Sequence, residues 1–232
     1  RMDRTREWAR ALVHGEESGI TDPYLDPEEV MEPLELIRSS LNEVGAEDVA
    51  RGELTDILRR LAVFGLTLAR IDLRQESSRH SDVLATVTQH LGLGDYTAWD
   101  SAERLAFLRR ELQGRRPLVP RIMEASEEVR DVLDTLEVAR EQGPGSLGAY
   151  VISMARGAAD VLAVELLQRE AGISPPLRVV PLFETRDDLE HAPVAIAELL
   201  DDPDYRARNG DEIEVTQKSV KHLATGTEVG AL

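Results

Sequence analysis

The stretch Phe64-Gly-Leu-Thr-Leu-Ala-Arg-Ile-Asp-Leu-Arg-Gln-Glu-Ser-Ser-Arg-His80 decides the fold reading. Ala69, Ile71 and Leu73 alternate with Arg70, Asp72 and Arg74. In a strand, that period of two sets three apolar side chains on one face and a charged row on the other. The aliphatic run Leu66-Thr67-Leu68 ahead of it points to an element mostly buried on both sides. Buried charge is costly unless it is paired or meets a ligand. The Arg–Asp–Arg row therefore reads as a closed ion-pair network or as the floor of an anion site. It stands just before a turn at Gln75 to Ser78 and a new helix, which is where β/α barrel enzymes place their chemistry. A surface helix is the competing reading, because Arg70 and Arg74 also share a helical face at i, i+4.

Upstream of this stretch the pattern is helical. Residues 4–17 carry Trp8, Leu12 and Val13 on one stripe. Asp26-Pro27-Glu28-Glu29 is a helix start, with Asp as N-cap, Pro at the first position and acids in the first turn. That helix carries Val30, Leu34, Ile37 and Leu41, and a third follows from Glu47 to about Val63. Downstream, Ser77 or Ser78 is expected to cap a helix bearing Val83, Leu84, Val87 and Leu91. Asp100 and Ser126 open two more, the second leading to Gly143-Pro-Gly145.

Past residue 145 the pattern changes to alternating strands and helices. Ala149–Met154 reads as a short buried strand, and Asp160 begins a helix that ends at Gly172. A second buried strand is expected at Leu177–Phe183, with Pro181 near its end, where a missing donor matters least. Thr185-Arg-Asp-Asp188 is a capping-box start for a helix to Leu200. Strand–helix–strand–helix order points to parallel β/α units.

Composition narrows the function. The chain has 232 residues, 42% of them hydrophobic, enough for one large domain or two small ones. Net charge is −17, which argues against broad nucleic-acid binding. An anionic substrate would need local basic clusters; Arg70 with Arg74, and Arg109-Arg110 with Arg115-Arg116, are candidates. No apolar run approaches the length of a membrane span. Cysteine is absent, which excludes disulfides and thiolate chemistry and fits a reducing, cytoplasmic location. Only two lysines occur, Lys218 and Lys221, both in the last fifteen residues. Arg1 followed by Met2 reads as an interior cut.

Glu184 falls where the second buried strand ends and its helix begins. A carboxylate there is a plausible ligand for Mg²⁺ or Mn²⁺, since hard ions take oxygen ligands and share them with phosphates; it is equally a helix-start acid beside the dipole. Asp160 holds a similar place and reads first as an N-cap. His80 could orient a ligand, but a surface or helix-cap role fits it better. No H-E-x-x-H spacing, phosphate-cradling glycine loop or serine elbow occurs.

The central stretch closely resembles the F-G-L-x-L-x-R-L-D-I-R-Q-E-S-x-R-H signature of phosphoenolpyruvate carboxylases. Tyr150-Val-Ile-Ser-Met-Ala155, Asp160-Val-Leu-Ala-Val-Glu-Leu-Leu167 and Glu170-Ala-Gly172 are similar to the family's next segment. Val179-Val-Pro-Leu-Phe-Glu-Thr185, with Asp188-Leu189 and Ala192-Pro193, is similar to its V-P-L-F-E-T-x-x-D-L-x-x-A-P run. The resemblance implies a mostly helical α/β fold holding part of a TIM-type β/α barrel surrounded by helices. It implies carboxylation of phosphoenolpyruvate by bicarbonate to oxaloacetate and phosphate, with Mg²⁺ or Mn²⁺, in homo-oligomeric full-length members. On this resemblance Arg70 matches a phosphoenolpyruvate-binding arginine, Arg74 is a second candidate, and Glu184 matches one of two acidic metal ligands.

The departures from the family pattern are specific. The T-A-H-P-T-E motif with the family's catalytic His is not in these residues. After Tyr205-Arg206 no Asp stands in the place of the G-Y-S-D motif, and the later glycine loop is missing. Ala159 replaces the Ser of S-D-V-L. Residues 1–208 therefore read as an interior carboxylase segment and 209–232 as a divergent tail, inactive as the chain stands. A non-catalytic binding or assembly module derived from a barrel enzyme is the alternative.

Overall fold

The computed structural model describes residues 1–67, 69–120, 122–142, 145–209 and 216–217. Leu68, Gly143, Pro144 and nearly all of the 209–232 tail lie outside the described residues. The chain divides into two units, Arg1–Ala69 and Arg70–Leu232.

The first unit is helical: α1 (Met2–Val13), α2 (Pro27–Glu43), α3 (Glu47–Val49) and α4 (Thr55–Phe64). Asp26 caps α2 as expected, its Oδ1 accepting the Glu28 amide at 2.9 Å, and Pro27 sits at the first position. The single helix expected over 47–63 is broken. A π-type turn at Ala50–Leu54 separates α3 from α4, and Gly52 leaves helical geometry at ψ −133°. Glycine carries the largest entropic cost inside a helix, so the break falls at the weakest link. Among the described residues of this unit, only Val30, Ala50 and Leu58 are buried apolar side chains; Ile37 and Val49 of the predicted stripes are exposed.

The second unit holds the sheet and the main core. Its elements are β1 (Ile71–Glu76), α5 (Ser77–His90), α6 (Ser101–Gln113), α7 (Glu127–Gln142), β2 (Leu147–Ser153), α8 (Ala158–Ala171), β3 (Val179–Phe183), α9 (Arg186–Leu200), α10 (Pro203–Asn209) and β4 (Thr216–Gln217). The strands pair in parallel in the order β1-β2-β3-β4. Parallel neighbours require crossovers, and helices α5 to α7 and α8 supply the first two. The core lies among α5, α6, α7, α8 and the sheet, centred on Val83, Leu84, Leu108, Val132, Ile152 and Leu162, each fully buried. Every such aliphatic side chain contributes about 1.5–3 kcal/mol of apolar transfer energy.

Several predicted starts hold. Asp100 and Glu103 form a capping box on α6, as do Thr185 and Asp188 on α9, and Ser126 Oγ accepts the Val129 amide at 3.3 Å. Others shift. Neither Ser77 nor Ser78 caps α5: β1 runs straight into the helix, and Glu76 is the N-cap. Ser77 Oγ instead donates to the Met154 carbonyl at 2.8 Å, and Ser78 Oγ to Glu76 Oε1 at 2.9 Å. Asp160 is the third residue of α8, within its first turn, not at its cap. Gly157 occupies the cap, and Asp160 Oδ2 reaches back to accept the amides of Arg156 at 2.7 Å and Gly157 at 3.3 Å.

Pro181 is the middle residue of β3, not its end. It is tolerated because of ladder alternation. The Arg178 and Leu182 carbonyls accept from Tyr150 and Ala155 of the β2 side. The even-numbered residues thus face β2, and the missing donor of Pro181 points away from it.

The charged strand also differs from its reading. Leu73 and Gln75 are half-buried toward the core, but Ile71 is 67% exposed and Ala69 precedes the strand, exposed. The opposite face, with Asp72, Arg74 and Glu76, is exposed. Strand β1 is first in the sheet order and pairs along one edge; its charged face is exposed, where burial on both faces was expected.

Candidate functional site at the carboxyl ends of the strands

Parallel pairing brings the carboxyl ends of β1, β2 and β3 to one edge of the sheet. Arg74, on the exposed face of β1, is level with Val151 of β2, which is level with Val180 of β3. Glu184 follows directly on β3, ahead of the Thr185 cap of α9. Arg74 reaches across to it: Nη2 donates to Glu184 Oε1 at 2.9 Å. The Glu184 side chain is 15% exposed and that of Arg74 is 54% exposed, so the carboxylate is the more enclosed member and the guanidinium the one open to solvent.

Arg70 lies just ahead of β1, exposed. Its Cβ is 4.0 Å from where a Cβ on Gly148 of β2 would stand, and Asp72 lies against the same position. Asp72 Oδ1 accepts the Ala149 amide at 2.8 Å. The Arg–Asp–Arg row is therefore not a closed ion-pair network among its own members. Arg74 pairs with Glu184, Asp72 holds a backbone amide, and Arg70 stands beside Gly148.

In the second basic cluster, Arg109 and Arg110 are each taken up by a carboxylate. Arg109 Nε donates to Asp202 Oδ2 at 2.7 Å and Arg110 Nε to Glu111 Oε1 at 3.0 Å. Arg109 thereby ties α6 to the segment before α10, whereas Arg110 pairs with its own neighbour on α6. Burial alone would raise the Asp202 carboxyl, but the Arg109 bond and the Tyr205 and Asp204 amides hold it below the usual carboxylate value.

Beside the strand ends lies a cleft of about 500 Å³ whose walls include Ser77, Ser81, Trp99, Arg104, Arg156 and Asp160. Burial pushes the Asp160 carboxyl above its ordinary value, against the two backbone amides and the charges of Arg104 and Arg156. Arg104 is itself held by the Trp99 carbonyl at 3.1 Å and the Thr97 carbonyl at 2.7 Å, over the Tyr96 ring.

His80, expected at the surface or at a helix cap, is in the core, 1% exposed. Its Nε2 shares a 2.9 Å hydrogen bond with the Tyr150 hydroxyl, while Nδ1 has no partner among the described residues. Desolvation lowers its pKa to about 4, so the ring is neutral near pH 7. Burial likewise raises the Tyr150 phenol. A buried histidine three residues into a serine-rich helix start has no periodic signature of its own; only its i, i+3, i+4 spacing with Val83 and Leu84 marks the inward face.

A family profile described as phosphoenolpyruvate carboxylase matches residues 1–218. The phosphoenolpyruvate carboxylase of Marinobacter nauticus is 52% identical over 206 residues, covering 89% of this chain and 23% of the relative. That of Stutzerimonas stutzeri is 50% identical over 208 residues, covering 90% and 24%. Phosphoenolpyruvate carboxylase 2 of Arabidopsis thaliana is 46% identical over 237 aligned residues, covering 100% and 24%. The chain thus spans about a quarter of the length of the curated relatives it matches.

Proposed function

The chain belongs to the phosphoenolpyruvate carboxylase family, and from that premise we propose that it carries one ligand-facing sector of an enzyme joining phosphoenolpyruvate and bicarbonate into oxaloacetate and phosphate. The observation that carries this reading is the meeting of Arg74 and Glu184 at 2.9 Å on the carboxyl edge of a parallel sheet. Ligands of parallel α/β folds bind at that edge.

In this reading Arg70 and Arg74 are the substrate-binding guanidiniums. Phosphoenolpyruvate carries a phosphate and a carboxylate, and a guanidinium presents paired donors to either. The half-exposed Arg74 leaves Glu184 and turns its donors to the substrate. Glu184 is then freed as an oxygen ligand.

Among the described residues no group of three or more His, Asp or Glu side chains is gathered into a metal cage. One carboxylate is nonetheless the share a protein gives to Mg²⁺ when water and substrate phosphate fill the remaining positions. Glu184 fits Mg²⁺ or Mn²⁺ taken up together with substrate. Such an ion, when bound, neutralises charge on the phosphate and on the enolate oxygen. The chain's own residues hold the anion and keep one ligand fixed beside it.

The sheet is read as part of a TIM-type barrel in a homo-oligomeric, cytoplasmic enzyme; the divergence expected from residue 209 gives way to a family match that runs to residue 218. No helix among the described residues is long and apolar enough to cross a membrane. The sequence holds neither the T-A-H-P-T-E motif nor a G-Y-S-D motif. The purified chain is therefore expected to bind phosphoenolpyruvate without turning it over. The test is an oxaloacetate-coupled assay with bicarbonate and Mg²⁺: no turnover is expected, and metal-dependent turnover would overturn the incomplete-site reading.

A further inference from the structure

The pairing of β1 with β2 contains an irregularity whose position relates directly to Arg74. Ile71 is level with Leu147, but Leu73 is level with Tyr150. Two residues of β2, Gly148 and Ala149, thus stand opposite the single residue Asp72. This is a bulge on β2, of the kind that re-aims side chains next to active sites. A bulge leaves an amide without a ladder partner. Here the Ala149 amide is taken by Asp72 Oδ1 at 2.8 Å. Gly148 makes room for this: a Cβ there would overlap Asp72 Oδ1.

Beyond the bulge the register runs without a break, Arg74 with Val151, Gln75 with Ile152 and Glu76 with Ser153. Removing the extra residue from the pairing would slide β1 by one position. A one-residue slide exchanges the two faces of a strand. Arg74 would then leave the exposed face from which it reaches Glu184.

We propose that Asp72 is a positioning residue: its carboxylate, by holding the bulge at Gly148 and Ala149, sets the register that aims Arg74 at Glu184. The functional weight of this lock rests on Arg74 and Glu184 being the ligand-facing pair proposed above. The lock itself is a statement about Asp72, Ala149 and Arg74 alone.

The test compares the protein with Asp72→Asn and Asp72→Ala by NMR. The two readouts are hydrogen exchange at the Ala149 amide and the side-chain Nε–H signal of Arg74. Asp72→Asn keeps an oxygen for the amide and is expected to preserve both. Asp72→Ala is expected to speed Ala149 exchange on the order of tenfold, as loss of a hydrogen bond to a charged group implies. It is also expected to move the Arg74 signal to the position seen in Glu184→Gln. Faster exchange with an unmoved Arg74 signal would overturn the positioning role and leave a local structural bond. Unchanged exchange would overturn the bulge-holding role as well. Should Asp72→Ala not fold, Gly148→Ala displaces the same carboxylate, and the same two changes are expected of it. Phosphoenolpyruvate titrated into the unsubstituted chain separates the two ideas. Absence of binding with an intact Asp72 dependence would retire the substrate reading and leave the lock standing.

Discussion

Arg74 Nη2 stands 2.9 Å from Glu184 Oε1, although 110 residues separate them in the chain. Both lie at the carboxyl edge of the sheet, and the arginine is half-exposed. A pair of that exposure contributes no more than about 1 kcal/mol. Glu184→Gln is therefore expected to lower unfolding free energy by less than about 1 kcal/mol, measured by urea denaturation. A loss above about 2 kcal/mol would make the pair a structural strut rather than a ligand-ready contact.

The buried His80 sets a pH dependence with a definite sign. Its folded pKa, about 4, lies below the ordinary 6.5. Between those values the unfolded chain binds the extra proton, so stability rises with pH across that window. The contribution is complete above pH 6.5 and is lost as pH falls toward 4, a total of about 3 kcal/mol. Urea unfolding at pH 7, 5.5 and 4.5 is expected to show a steeper decline for the protein than for His80→Phe. Parallel declines would contradict a neutral, desolvated imidazole.

Burial at the start of β1 and in the middle of α8 makes a contrasting pair of predictions. Ile71 is 67% exposed, whereas Leu162 of α8 is fully buried. Ile71→Ala is expected to change stability by no more than about 0.5 kcal/mol. Leu162→Ala is expected to cost about 2–5 kcal/mol through lost transfer energy and a residual cavity. Thermal melts of both variants check this. A large cost at Ile71 would mean that this face is covered in solution.

These contrasts mark what was legible in the sequence. Caps at Asp26, Asp100, Ser126 and Thr185 were readable because a cap is a local bargain between a side chain and amides two or three residues away. The core stripe Val132, Leu136 and Ala139 of α7 was readable from its 3.6-residue period. Asp72 and Arg74 were readable as one strand face, with Arg70 just ahead of the strand, but their partners were not. Glu184 and the Ala149 amide lie 110 and 77 residues away, and register decides who meets whom. The break at Gly52 and the burial of His80 escaped for another reason. Glycine and histidine are each tolerated in several settings, and tertiary packing selects among them.

Asp202 ties three segments together. Its Oδ1 accepts the Asp204 and Tyr205 amides at 2.9 and 3.2 Å, and its Oδ2 takes Arg109 Nε at 2.7 Å. With its side chain 5% exposed, its loss would leave the start of α10 uncapped and Arg109 unpaired. Asp202→Ala is expected to cost about 1–3 kcal/mol. Hydrogen exchange should localise the loosening to 203–209, and uniform loosening across the core would contradict this assignment.

In the proposed function Glu184 and Arg74 face a metal-bound phosphoenolpyruvate. Electron paramagnetic resonance of Mn²⁺, titrated into the chain in the presence of phosphoenolpyruvate, tests it most directly. The unsubstituted chain is expected to bind Mn²⁺ at least about tenfold more tightly than Glu184→Gln, a difference of about 1.4 kcal/mol, and Arg74→Ala is expected to weaken the effect of phosphoenolpyruvate on that binding. Equal Mn²⁺ affinity in the protein and in Glu184→Gln, with or without phosphoenolpyruvate, would contradict it.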